Sequence, residues 1–214
     1  MDSSQRQPSL ATVLREATRD MHSRAERSGY VADLLRGRGS RAGYLLLLRN
    51  LLPAYEELEN GLELHMSSPV FRGVPWRSLL RAPALERDLQ ALAGAGWRSS
   101  LALLPAGESY RARVAQAARG NGERLLAHAY TRYLGDVSGG QLLEMLLARS
   151  LGLAAHELSF YSFPDIPDLP RFRSDFRCAL AVAGRLVDQG AVADEAIEAF
   201  ALNIALSEAV LIAS

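Results

Sequence analysis

"YTRYLGDVSGGQLL", residues 130–143, has the apolar spacing of an amphipathic helix yet places Gly135, Gly139 and Gly140 close together in its middle. Each glycine inside a helix costs roughly 1 kcal/mol relative to alanine, so a helical reading gives up about 3 kcal/mol here. At 3.6 residues per turn, Thr131, Gly135 and Gly139 share one face, which is then bare backbone. That face suits either close packing of a second helix or approach of a flat ligand. Ser138 beside Gly139 marks a natural kink.

Outward from this stretch the pattern stays helical, and the spacing predicts one helix from about Arg124 to Ser150. Ser9 can cap a helix through "LATVLREATRDMHSRAERS", with Leu10, Leu14, Ala17, Met21 and Ala25 as its core stripe. A second helix runs from about Ser40 to His65, with Pro53 as a kink or break. Shorter helices follow in "RAPALERDLQALAG" and "GESYRARVAQAARG", and two more in "RFRSDFRCALAVAGRLVDQ" and "ADEAIEAFALNIALSEAVLIA". With no alternating strand pattern, the expected fold is all-α, a single multi-helix domain over residues 10–214 behind a flexible N-terminus at residues 1–9.

Composition narrows the function. Lys+Arg and Asp+Glu balance at 24 each, so no global field recruits nucleic acid. Cys178 is the single cysteine, which excludes an internal disulfide and multi-cysteine metal sites and fits a reducing cytoplasm. No signal peptide, transit peptide or membrane anchor is read, and nothing suggests an obligate interface, so a cytoplasmic monomer is expected. Phosphate-binding loops, dinucleotide fingerprints and nucleophile elbows are missing, as are the Glu-x-x-His pairs of di-iron bundles.

Two constellations carry chemistry. Asp136 and Arg132 sit one turn apart beside the bare strip, where an ion pair is the plain reading of a mid-helix aspartate. Arg15, Arg19, His22 and Glu26 line one stripe of the first helix. A glutamate one turn from a histidine can hold one imidazole nitrogen and leave the other for a metal, although a surface pair is the commoner meaning of that spacing. Arg173 and Arg177 repeat the arginine spacing, and two such pairs can neutralise two carboxylates. His65, His128 and His156 read as structural or exposed.

Taken together, "AHAYTRYLGDVSGGQLL" and "LREATRDMHSRAE" resemble the signature and the proximal-helix segment of the haem oxygenases. "SPVF", "ALERDL", "YSFP" and "AFALNIAL" extend the similarity from about Leu10 to Val210. The resemblance implies haem b, both cofactor and substrate, held between a proximal helix and a kinked distal helix. It implies His22 as iron ligand and Glu26 as its hydrogen-bond partner, with Arg15, Arg19, Arg173, Arg177 and Tyr130 near the propionates. On the distal side it implies Gly135 and Gly139 over the macrocycle, and Asp136, Arg132, Thr131, Asn203 and Tyr55 around a water network. Phe200 falls near the haem edge.

The implied reaction opens haem to biliverdin, carbon monoxide and ferrous iron with dioxygen and electrons from a ferredoxin or flavoprotein reductase, at the α-meso carbon. Pro53, two residues before Tyr55, puts that tyrosine's place in doubt. A haem carrier on the same fold, able to dispense with Asp136, and a ligand-free bundle remain open at this point. The bundle leaves the cost of the glycines unexplained.

Overall fold

The computed structural model describes residues 8–214; residues 1–7, most of the expected flexible N-terminus, lie outside the described residues. Ser9 belongs to the first helix as its cap, its hydroxyl accepting from the Thr12 amide at 3.3 Å. That helix is shorter than its periodicity predicts, with α1 spanning Leu10–Ala17 and α2 spanning Arg19–Ala25. The break falls at Thr18, whose buried hydroxyl donates to the Leu14 carbonyl at 2.7 Å. Such a back-bond competes with the helical ladder and bends the chain. Leu10 and Leu14 are buried as expected, whereas α2 buries none of its residues, because one of its sides faces an open cleft.

A helix not foreseen, α3 at Gly29–Leu35, comes next. Gly29 starts it with φ +61°, and a Cβ there would lie 2.4 Å from the Ser207 carbonyl carbon, so the closeness of α3 to the C-terminal helix demands glycine. Helix α4, Arg41–Leu64, is capped by Ser40 and runs through Pro53 without interruption. Then follow α5 (Ala82–Ala93), the single turn α6 (Trp97–Ser100), α7 (Pro105–Ala117) and α8 (Leu125–Ala129). Between α8 and α9 (Gly135–Leu151) the chain widens into a π-helical turn at Tyr130–Leu134. The irregularity therefore precedes the glycines rather than falling at Ser138–Gly139. Asp168 and Asp188 cap the last two helices, α10 (Leu169–Ala183) and α11 (Gln189–Ala213).

Among the described residues no strand occurs, and eleven α-helices with short connections enclose one continuous core. Helix α4 lies at its centre against α5 and α7; α11 packs on α1, α3, α7 and α8. By length and mean hydropathy (1.7 in its most apolar window) α11 resembles a membrane-crossing helix. Here it closes the bundle and carries Glu195, which is 2% exposed.

Glu195 ties its own helix to two others. Arg113 of α7 grips it bidentately at 2.8 and 2.6 Å, and His128 of α8 meets it at 2.9 Å. Burial raises its pKa, but the bonds to His128 and Arg113 outweigh burial and bring it from 4.5 to about 2. A depressed carboxyl stabilises the fold fully above about 4.5 and loses that contribution as pH falls through about 2. Glu195→Gln is therefore expected to cost on the order of 3 kcal/mol at pH 7, with the gap to the parent closing in acid. Urea midpoints of both proteins from pH 7 down to 3 check it; a gap independent of pH would contradict the ion-pair account.

A second buried carboxylate shapes the site. Asp88 of α5 accepts the Ser159 and Phe160 amides at 2.8 Å each, while the Arg81 guanidinium donates to the carbonyls of Phe160 (3.3 Å) and Ser162. Held from both sides, this segment sets Phe160 and Tyr161 behind α9.

Candidate functional site

Beside α9 lies a cleft of about 940 Å³, within the range of ligand sites (about 300–1,000 Å³). One wall is α2 with His22 and Glu26, the opposite wall the first turns of α9, and α10 flanks them with Arg177. The His22 Nδ1 stands 3.5 Å from Glu26 Oε1, with both side chains more than half exposed to the cleft. Phe200 of α11 sits against the imidazole, ring centres 5.8 Å apart.

The three glycines divide into two jobs. A Cβ at Gly135 or Gly139 would meet nothing within 4 Å, so no neighbouring helix explains them; both open on the cleft. Gly140 points the other way, where a Cβ would come to 3.3 Å from Tyr161 Cδ1, and is a packing glycine.

Behind the bare strip Asp136 is 8% exposed. The Tyr55 hydroxyl donates to its Oδ2 at 2.5 Å, and Arg132 Nη2 stands 3.5 Å from Oδ1. Arg132 also donates from Nε to the Tyr55 oxygen at 2.9 Å and from Nη1 to Asn203 Oδ1. Pro53 thus leaves Tyr55 inside the constellation, because α4 continues through it. Burial raises the Asp136 carboxyl pKa above its ordinary value, opposed by Arg132, the Tyr55 bond and Arg81. Burial also disfavours the Arg132 charge, but Tyr55, Asp136 and Tyr110 more than restore it. Thr131 takes no part in these bonds; its hydroxyl is buried without a partner between the cleft and a smaller cavity of about 180 Å³ that Asp136, Arg132 and Asn203 also line.

The expected arginines separate. Arg15 and Arg177 line the cleft with Tyr130, whereas Arg19 is exposed on α2 and Arg173 half-buried on α10, both off the lining. The α1–α2 break and the register of α10 put them one turn aside. Tyr110 was not foreseen: Asn203 Nδ2 donates to its hydroxyl at 3.2 Å, extending the constellation to α7. A lone tyrosine in "GESYRARV" carries no local signal of this. Nor did the sequence mark Phe160 and Tyr161 as lining the smaller cavity. His128, read as structural or exposed, is fully buried.

Comparison with known proteins agrees with this geometry. The family model "Heme oxygenase" matches residues 8–209. Heme oxygenase 1 of Synechocystis sp. is 37% identical over 202 residues, 91% of this chain and 82% of that protein. Human heme oxygenase 1 is 36% identical over 209 residues, 93% of this chain and 70% of that protein. The crystal structure of the Synechocystis enzyme in complex with heme superposes with a TM-score of 0.87 at 35% identity, covering 96% of this chain and 95% of that one. A heme oxygenase structure from Leptospira interrogans also gives 0.87, at 32% identity over 94% of this chain and 100% of the other. An all-helical bundle in which a glycine-faced helix opposes a histidine across a cleft, matched nearly end to end by these relatives, belongs to the haem oxygenase family of haem-degrading enzymes.

Proposed function

We propose that this enzyme binds haem edge-in between α2 and α9, with His22 as the iron ligand, and opens it at the α-meso carbon to biliverdin, carbon monoxide and ferrous iron. The observation that carries the reading is the bare face of Gly135 and Gly139, which opens on empty space across from His22. The donor set fits haem, whose porphyrin would supply the other nitrogen donors to the iron so that His22 alone would hold it from the protein; no group of three metal-ligating side chains occurs among the described residues. Bound haem supplies both the iron at which dioxygen is reduced and the carbon that is oxidised.

The chain's own residues do the rest. Glu26 orients the His22 ring through Nδ1, leaving Nε2 for the metal. Arg15, Arg177 and Tyr130 receive the propionates, while Arg19 and Arg173 add positive field at that end; this seating selects the α-meso edge. Gly135 and Gly139 let the α9 backbone approach the macrocycle, and Phe200 packs at its edge. Tyr55 donates to Asp136 Oδ2, and the long 3.5 Å contact from Arg132 leaves Oδ1 with capacity to accept from water as well. Asp136 and the unpartnered Thr131 hydroxyl thus hold water beside the strip, a proton source for oxygen chemistry. Arg132 and Asn203 keep Asp136 and Tyr55 in place. Electrons come from a ferredoxin or flavoprotein reductase, and the protein works as a cytoplasmic monomer.

One equivalent of hemin followed by ascorbate in air tests the reaction. The expected result is a Soret band that decays into the broad red absorption of biliverdin, with the α isomer on chromatography. A Soret band that forms and persists would overturn turnover and leave a haem carrier.

Gly139→Ala separates ligand from fold. In the haem-free protein a methyl there touches nothing within 4 Å, so stability should rise by about 1 kcal/mol. Hemin affinity should fall about tenfold or more, the overpacking cost of about 1–3 kcal/mol appearing with ligand present. Urea denaturation without hemin and titration with hemin read the two effects; unchanged affinity would place the macrocycle away from α9.

A further inference from the structure

The buried cluster at Glu195 stands outside the cleft, and two of its helices, α7 and α11, carry residues of the distal constellation, while the third, α8, leads into the π turn that carries Arg132. Arg113 of α7 lies one turn after Tyr110. His128 of α8 lies one turn before Arg132, and Glu195 of α11 two turns before Asn203. Tyr110, Arg132 and Asn203 are hydrogen-bonded to one another, with Asn203 in the middle, accepting from Arg132 Nη1 and donating to Tyr110. Helices α7 and α11 and the segment from α8 into its π turn are thus joined twice, once by an ionic knot at α8 and once, past the π turn, by the bonds that hold Arg132.

We propose that Glu195 is a positioning residue for this enzyme: by fixing the axial register of α7, α8 and α11 it holds Asn203 where it can hold Arg132. The inference rests on the proposed role of the distal residues. The knot is well suited to set register. Glu195 takes a two-pronged grip from Arg113 (2.8 and 2.6 Å) and a bond from His128 Nε2 at 2.9 Å, with Arg124 Nη1 at 3.9 Å. A bidentate guanidinium fixes direction as well as distance. The π turn at Tyr130–Leu134 intervenes between His128 and Arg132, so α8 alone does not dictate where Arg132 points. Asn203 supplies that constraint from α11, and it is accurate only if α11 cannot slide.

The test uses the full chain, haem-free and loaded with one equivalent of hemin. Glu195→Gln should lower the single-turnover rate of biliverdin formation about tenfold while hemin affinity stays within about twofold. In the haem-free protein the Arg132 Nε–H, bonded to Tyr55, should exchange about tenfold faster in this variant than in the parent. Combined with Asn203→Ala, Glu195→Gln should add less than about twofold to the loss, because both act on one contact. Arg113→Lys keeps the charge and removes the fork; a loss of about threefold with the same exchange signature is expected even if Glu195→Gln folds poorly. A lowered melting temperature with unchanged rate and exchange, or multiplicative losses in the double variant, overturns the proposal. Asp136→Ala is the reference: if it turns over normally the reading of the site fails and this inference with it, whereas if it is impaired and Glu195→Gln is not, this inference alone fails.

Discussion

Asp136→Ala is expected to bind hemin with near-parental affinity and to lower the rate of biliverdin formation under ascorbate by about 10²–10³, the range for losing a positioned proton source or charge. The carboxylate lies behind the strip, not in the wall that would carry haem's weight, so affinity should change little. What is lost is the acceptor at Oδ1 proposed to hold water and the Oδ2 that accepts the Tyr55 hydrogen bond at 2.5 Å. Without them the oxidising chemistry at iron is no longer directed to the ring carbon, and peroxidase-like oxidation of added phenols should rise. Asp136→Asn sharpens the test, because it keeps the volume while turning one oxygen into a donor that faces Arg132 Nη2. Single-turnover spectra and a phenol-oxidation assay on the loaded variants decide it. Normal biliverdin yield from Asp136→Ala would remove the residue from the mechanism.

The second large effect is at His22. Because α2 buries none of its residues and the His22 side chain is 60% exposed, His22→Ala should leave the stability of the haem-free protein within about 0.5 kcal/mol. The loaded protein should lose its native axial ligation, seen as an altered ferrous-CO spectrum, and biliverdin formation should stop. The vacated space in the open cleft admits free imidazole, which should restore both, a rescue that a purely structural histidine would not show. An unchanged ferrous-CO spectrum would refute the ligand assignment. Glu26→Gln should act in the same direction but more weakly, within the 10–100-fold typical of partners behind a metal ligand.

Much of this molecule was legible in sequence where the physics is local. Ser40 and Ser9 announce helix starts because their hydroxyls meet amides three residues on, and the apolar stripe of α1 follows from the side that it buries. The glycine face was legible because a helix that gives up side chains needs a reason, and Asp136 beside it because mid-helix aspartates are uncommon. Less was legible where a single contact decides. The Thr18 back-bond splits an otherwise uniform stripe and turns Arg19 off the cleft lining. Gly29 starts α3 because α11 passes close by, a fact of packing that no local pattern carries.

The boundary between the two kinds of knowledge runs through the site itself. Sequence alone determined that the chain is an all-helical bundle, that one helix presents bare backbone, and that a histidine, an aspartate and several arginines are candidates for chemistry. Spacing along a helix is set by the backbone, so these follow without knowing the neighbours. Tertiary structure decided which glycines face the cleft and which, like Gly140, face a ring; that Tyr55 reaches Asp136 despite Pro53; and that Tyr110 and Glu195 belong to the same architecture. Those contacts join residues far apart in sequence, and their partners are chosen by the packing of whole helices, which no short window of sequence encodes.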